Sequence, residues 1–514
     1  MENKEREFTS IATETAATDG SHLPHVTAPA KKGNALAAWA KNTFGSKVPE
    51  GERVPVGQKV AYGLGGTTEV MSIWVTNNHF TPMLNIGLGM NPALLGWILV
   101  IWRLWDAVCD LFFGNLSDNA RTRWGRRRPF IVAGAILTGL FLPLIWWVPQ
   151  GLSQWQMAAW LIPCGMLLYA SYSLWAMPYY SLQLEMSPNY DERIGITAYR
   201  VVPQQIWAMC IGWIPALAAL SVFGTSYNGG PNLAGGMRTI SIVMAVLAIG
   251  FGILPGLFVK ERYYHAARKQ AKERLLPAMK QTLSTRPFLI LSVILLCNTI
   301  GSGIVSALSF YMNAYVVCRG DIVLATTIQG VTGTLLFLPS LFSVPALTWI
   351  ATRFGKKALL YLALGFGITG YLSTYIFFNP AHPWWQVIPP LIIAPIGMGT
   401  WLILPSMLAD VVDYDELACG RRSEGSFTAV FTWIGKMTST FISGLGGILL
   451  VWVGFNVNNG GQQPDEVLRN LRTCYVWIPV VFLSICAIAI YSYGLTRERV
   501  AEIRRELEAR RGSV

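Results

Sequence analysis

The chain has 514 residues, of which 53% are hydrophobic and only 13% charged. Soluble domains carry about 25% charged residues, so a soluble globular fold is excluded and a multi-pass membrane protein is expected. The formal net charge of +12 does not point to nucleic acid, because the basic residues cluster in short loops between apolar runs, as in cytoplasmic loops beside anionic lipid.

Residues 1–55 are polar, contain no apolar signal-peptide core and read as a disordered cytoplasmic tail. Segments with the ~20 apolar residues needed to cross a bilayer then follow. Twelve are found, centred near residues 72, 103, 140, 170, 212, 248, 300, 337, 368, 398, 439 and 483. The first is the weakest, because "YGLGGTTEVMSIWVTNNHF" carries Glu69 and several amides. The loop after the second span holds Arg121, Arg123, Arg126, Arg127 and Arg128, and the stretch 260–286 after the sixth holds eight Lys or Arg. Arg353, Lys356 and Lys357 follow the eighth span, whereas the loops after spans one, three and nine have no Lys or Arg. The positive-inside rule places both termini in the cytoplasm. Residues 496–514 read as a charged cytoplasmic tail helix. The eight cysteines lack metal or redox spacing and read as packing residues.

The basic loop 261–286 divides the chain into a six-helix half at 56–260 and a second at 287–495. "TRWGRR" at 122–127 returns as "TRFGKK" at 352–357, after the second and the eighth span. Parallel repeats of this kind mark the major facilitator architecture, with its substrate site between the halves near the midplane. The expected fold is an all-α membrane protein of twelve transmembrane helices in two six-helix halves, both termini cytoplasmic.

Ionisable residues within spans are functional candidates by default. Here they are Glu69, Arg103, Asp106, Asp110, Arg200, Asp410 and Lys436. Asp106 and Asp110 stand one helical turn apart on one face, and their carboxylates repel unless a proton or cation joins them. With a hydroxyl such as Ser173 they make a candidate site for Na⁺, Li⁺ or H⁺, or else a salt-bridge network with Arg103, Arg200 or Lys436. The aromatic residues Trp74, Trp175, Tyr179, Tyr180, Trp401 and Trp433 suit either stacking on a sugar ring or interfacial packing. Asn77 and Asn78 are substrate candidates, because buried amides require partners. The Arg-rich loop sets topology. It is also a candidate gate latch through Asp118, Arg123, Arg126, Arg127 and Arg128, with Arg353 in the second copy.

"RLWDAVCD…SDNARTRWGRRRPFI", "YSLWAMPYYSL" and "MLADVVDYDELACGRRSEGSFTAVFTWIGK" resemble, in this order, three segments of the glycoside–pentoside–hexuronide:cation symporters. These are the second span with its loop, the fourth span, and the tenth-to-eleventh-span segment. The resemblance runs over most of residues 57–495. It implies cation-coupled symport of a sugar or glycoside by alternating access, in a bacterial inner membrane. It also implies that Asp106 and Asp110 bind the coupling cation, Na⁺ if not H⁺, with Ser173 at the place of a cation-liganding threonine. Arg200 in "AYRVVPQQ" and Lys436 in "WIGKMTS" match the family's functional arginine and lysine, and Trp401 matches a pocket tryptophan. The substrate candidates are then Glu69, Asn77, Trp175, Tyr180, Arg200, Trp401, Thr432 and Lys436.

This chain departs from the galactoside-transporting pattern of the family at three positions. Ala176 and Val70 replace two pocket aspartates, and Cys109 replaces an asparagine beside the second cation aspartate. A different glycoside, possible anionic glycosides included, is implied. The expected partners are a small sugar or glycoside, a coupling cation and membrane lipid, with no nucleic acid and no cofactor, for a monomer. No catalytic or ATP-binding motif occurs, so an enzyme is not expected. The rival readings are a lysolipid or amphiphile carrier and a membrane sugar sensor that does not transport.

Overall fold

The structure, a computed structural model, describes residues 53–187, 190–225, 230–261, 282–420 and 424–511. The tail to residue 52, residues 262–281 of the central loop, residues 512–514 and the side chain of Trp401 lie outside the described residues. The first described helices are α1 (Val56–Gly65), α2 (Thr67–Glu69), a π-helical turn (Val70–Trp74), α3 (Val75–Leu88) and α4 (Pro92–Asn119). They are followed by α5 (Arg128–Phe141), α6 (Gln154–Met186), α7 (Tyr190–Ile211), α8 (Ile214–Ala218) and α9 (Leu233–Phe258). After the basic loop come α10 (Arg286–Tyr311), a second π-helical turn (Met312–Val317), α11 (Ile322–Phe354) and α12 (Lys356–Phe377). The last are α13 (Ile388–Cys419), α14 (Glu424–Trp452), α15 (Asp465–Ser492) and α16 (Arg497–Arg511). Among the described residues the extended pairing is a single bridge, Thr225 to Pro231.

Local sequence accounts for the ends of these helices. Pro92 opens α4 behind Asn91, whose side chain accepts from the Ala93 N–H at 2.9 Å. Ser153 and Gln156 form a capping box at α6. Gly420 ends α13 in the left-handed conformation.

Among the described residues, seven segments are long and apolar enough to cross a bilayer: Arg128–Ile145, Gln154–Gln183, Leu233–Phe258, Arg286–Val317, Lys356–Phe377, Glu424–Trp452 and Asp465–Ser492. Three other stretches miss this standard because they are interrupted or charged. The first apolar run is broken by the π-helical turn, α4 carries Arg103, Asp106, Asp110 and Asp118, and α7 carries Glu192, Arg193 and Arg200. The expected span centre near residue 212 does not coincide with the middle of a helix. Helix α7 covers Tyr190–Ile211 and breaks just there. Its polar beginning lowers local hydropathy yet is used structurally, since Glu192 pairs with Lys59 at 2.8 Å and accepts from the Val54 N–H at 2.7 Å.

Indole N–H groups peg neighbouring helices. Trp102 and Trp105 of α4 donate to the carbonyls of Ile162 and Met166 in α6, at 3.1 and 3.0 Å. Near the start of α4, α4 and α14 instead meet backbone to backbone. A Cβ added to Gly96 would lie 2.7 Å from the Gly444 carbonyl oxygen, and one on Gly447 would overlap the carbonyl of Pro92. Small residues allow such close approach between membrane helices. The same end of the bundle holds a Tyr311 O–H donating to Asn85 Oδ1 at 3.1 Å and the Trp213 indole donating to Thr334 Oγ1 at 2.8 Å. These contacts join α3 to α10 and the α7–α8 break to α11.

The Arg-rich loop is fastened at the other end of α4. Gly125 has φ +108°, which glycine tolerates and L side chains rarely adopt. The N–H groups of Arg126, Arg127 and Arg128 thereby converge on the Glu261 carboxylate at 2.8, 2.8 and 3.2 Å. An anion at the start of α5 also meets the positive end of the helix dipole. Arg127 donates to Glu185 at 2.7 Å and to Asp118 at 3.0 Å, Arg126 also pairs with Glu185, and Arg128 donates to the carbonyls of Gly256 and Leu257, both at 2.6 Å. In the second copy of the motif, Gly355 repeats the positive φ at +90°, and Lys356 pairs with Asp410 at 2.6 Å.

Two outcomes follow for stability. Gly447→Val should force α4 and α14 apart, at the ~1–3 kcal/mol typical of overpacking, and lower the melting temperature of the solubilised protein. A melting temperature equal to the parent's would mean that the seam is slack. Glu261→Ala should remove the acceptor of three N–H groups and also lower the melting temperature, by a loss on the order of 1–3 kcal/mol. Arg123→Ala, at an exposed side chain, should not.

Candidate functional site

The charged stripe of α4 is met by two other helices. Asp106 is buried, and its Oδ1 accepts from the Ser173 hydroxyl of α6 at 3.1 Å. One turn on, Asp110 Oδ2 is ion-paired with the Lys436 ammonium of α14, while its Oδ1 is buried without a hydrogen-bond partner. Lys436 reaches this carboxylate from a position where its own side chain is 49% exposed. Thr432 lies one turn earlier on the same face of α14. The cluster therefore holds two carboxylates, one hydroxyl and one ammonium. A small cation or a proton can satisfy the carboxylates only in competition with Lys436.

A second cluster surrounds Glu69. Tyr180 donates to its Oε2 at 2.7 Å, Gln204 donates to the same oxygen at 3.1 Å, and the Trp74 indole donates to Oε1 at 3.3 Å. The Arg200 guanidinium stands 5.4 Å from the Tyr180 ring centroid, and its Nε is buried without a partner. Ser173 and Tyr180 are seven residues apart on α6, about 10 Å along its axis, so this helix carries one wall of each cluster.

A cavity of about 870 Å³ lies beneath the glycine seam. Asn77 and Arg103 line it, with Trp74, Asn78 and His79 beside them. Tyr169 is held between the first two, donating to Asn77 Oδ1 at 2.9 Å and lying 5.9 Å from the Arg103 guanidinium. Arg103 is the one charged side chain on the described wall. Glu69, Tyr180, Arg200, Thr432 and Lys436 do not belong to that wall.

Trp175 is placed differently from the expectation of a substrate contact. It is fully buried, stacked on Tyr179 at 4.5 Å, with its indole donating to the Gly252 carbonyl at 3.1 Å. Its ring is thus stacked within α6 while its N–H ties α6 to α9. Arg353 lies against the Trp349 and Phe354 rings, and its carbonyl accepts from Arg497 at 3.0 Å. Residues that the sequence reading passed over include Gln204, His79 and Gln329, polar side chains within apolar runs like Arg200. Glu185, at the end of α6, and Glu261, in a loop, carried no such signal, because charges at helix ends and in loops are ordinary.

The sequence pattern of the MFS/sugar transport protein family matches residues 61–497. The chain is 27% identical over 429 residues to the glucuronide carrier protein homolog of Escherichia coli (strain K12), covering 82% of this chain and 89% of that protein. It is 25% identical over 449 residues to the isoprimeverose transporter of Lactiplantibacillus pentosus, covering 86% and 90%. A solved bacterial homologue of the human lysosomal transporter Spinster, inward-facing and unoccupied, shares the fold, with a TM-score of 0.59 at 14% identity over 85% of this chain and 95% of that one. With its all-helical fold and apolar spans, this multi-pass integral membrane protein belongs to the MFS/sugar transport protein family.

Proposed function

We propose that the protein couples the movement of a sugar or glycoside to that of a cation, by alternating access. The observation that carries this reading is the Lys436–Asp110 ion pair beside the Asp106–Ser173 contact. A bound Na⁺ or H⁺ takes over the neutralisation of the carboxylates and frees Lys436 and its neighbour Thr432 for substrate. By linkage, substrate then raises cation affinity by the same factor. The second cluster, Glu69 with Tyr180 and Arg200, supplies an acceptor and a cation for sugar hydroxyls, and Trp401 is assigned to the same pocket.

The chain is read as twelve spans in two halves, 56–260 and 287–495, joined by the basic loop 261–286. Both termini are placed in the cytoplasm of a bacterial cell whose inner membrane holds the protein as a monomer. Under that orientation the seam of Asn85, Pro92 and Gly447 faces outward. The conformer is then closed on the outer side at that seam. Asp118, Arg123, Arg126, Arg127, Arg128 and Arg353 are assigned to the cytoplasmic gate. An anionic glycoside is favoured within the sugar class, because among the described residues the cavity wall presents Arg103 and no carboxylate. The carrier and transporter names of the two relatives support the same class.

Two outcomes test this. Asp106→Asn and Asp110→Asn should each lower cation-stimulated uptake into proteoliposomes by at least about tenfold, the worth of roughly 1.4 kcal/mol, while sugar-induced thermal stabilisation persists. Full cation dependence in both variants would remove the coupling role. Lys436→Met should lower the cation concentration that half-maximally stabilises the protein against heat, since the competing ammonium is gone. An unchanged or higher concentration would show that Lys436 does not compete for the site.

A further inference from the structure

Three residues that line the cavity beneath the seam each carry one buried polar atom with no hydrogen-bond partner among the described residues. These atoms are His79 Nδ1 on α3, Arg103 Nε on α4 and Gln329 Oε1 on α11. Buried polar atoms are nearly always hydrogen-bonded, so three orphans around one space call for an explanation.

The chemistry of each orphan is fixed by its surroundings. His79 is 1% exposed, and its Nε2 stands 3.0 Å from the Ile211 carbonyl oxygen. A carbonyl only accepts, so Nε2 bears the hydrogen, and in the neutral ring Nδ1 is left as an acceptor. Gln329 Oε1 is a second acceptor. The Arg103 Nε–H is a donor carrying positive charge. Two acceptors and one cationic donor describe a ligand with two hydroxyl donors and an acceptor oxygen. That is the edge of a polyhydroxylated ring, neutral or anionic. A cationic ligand is excluded by Arg103 and by the lack of any Asp or Glu on the described wall.

Position adds a further constraint. Arg103 stands one turn from Asp106 on the same face of α4, so this chamber continues from the cation cluster toward the seam. A volume of about 870 Å³ is at the upper end of small-ligand sites, which span about 300–1,000 Å³. This exceeds what one sugar ring needs.

We propose that His79, Gln329 and Arg103 form a distal subsite that binds the second ring of a two-ring glycoside, with His79 Nδ1 and Gln329 Oε1 accepting from its hydroxyls. This rests on the sugar-symport reading. His79 and Arg103 come from helices before the basic loop and Gln329 from a helix after it, so the second ring ties the two groups of helices together beneath the seam. Two-ring ligands are therefore selected over single sugars by contacts remote from Lys436.

The full-length protein in detergent tests this by binding four probes: isoprimeverose, cellobiouronic acid, D-xylose and D-glucuronate. His79→Gln keeps a nitrogen donor for the Ile211 carbonyl and removes the Nδ1 acceptor, whereas Gln329→Met removes the other acceptor at similar volume. Each should weaken the two-ring probes by about three- to tenfold, the worth of one neutral hydrogen bond. Each should leave single-ring binding within about twofold, and cation-induced thermal stabilisation without sugar unchanged. His79→Asn, which returns a polar atom near the Nδ1 position, should recover part of the loss. Equal weakening of one- and two-ring probes, or no weakening, would overturn the subsite while leaving the sugar reading intact. If the parent protein binds none of the four, the sugar reading falls and the subsite with it.

Discussion

An ammonium on α14 and a carboxylate on α4 meet within a chain of apolar helices, and both the stability of the core and its proposed work turn on that contact. Breaking a buried ion pair by removing one partner costs about 3–5 kcal/mol. The figure is smaller here, because the Lys436 side chain is 49% exposed and solvent screens it. This partial exposure matters for function. A fully buried pair would be too tightly held to exchange its ammonium for another cation, and a fully exposed one would exchange without moving a helix. Lys436 and Asp110 lie between those limits.

The same two helices are joined a second time, where Gly96, Gly444 and Gly447 let their backbones touch. The charge contact and the glycine contact are thus two points on one helix pair, one chemical and one steric. What neutralises Asp110 bears directly on how α14 lies along α4, with no relay through other elements. Around them, the Trp102 and Trp105 indoles pin α4 to α6. Ser173 of α6 completes the carboxylate pair from that side.

Much of this arrangement is written locally. The spacing of Asp106 and Asp110 puts them on one face, and a charge inside an apolar run flags Glu69, Arg200 and Lys436 without any knowledge of the fold. The contact of Ser173 with Asp106 spans 67 residues and has no periodic trace in the sequence. Ser173 enters the reading as one hydroxyl within reach and as the counterpart of a family threonine, and neither route fixes which carboxylate it meets. The Glu261 carboxylate under three N–H groups of the Arg-rich loop is more remote still, and nothing distinguishes Glu261 from any other loop acid before the chain folds. Trp175 fails for the opposite reason. An aromatic side chain suits a sugar face and a helix interface equally well, and only the Gly252 carbonyl opposite its N–H decides between them. The break near residue 212 was hidden because hydropathy averages over the polar start of α7.

Viewed along α4, Arg103, Asp106 and Asp110 form one stripe, and each residue of it answers to a different neighbour: Tyr169, Ser173 and Lys436. Along the stripe two carboxylates stand between a cation at the cavity end, Arg103, and a cation at the far end, Lys436. The two carboxylates between them cannot both stay ionised unless those cations, or a third, remain close. Removing Lys436 toward a substrate therefore leaves a deficit that only an incoming cation fills, and an incoming cation releases Lys436. For an anionic substrate, an empty site with Lys436 in place and a site with both ligands bound are each neutral, whereas either ligand alone leaves charge uncompensated in a low-dielectric interior. Such a helix favours joint occupancy over single occupancy, which is the condition that symport imposes.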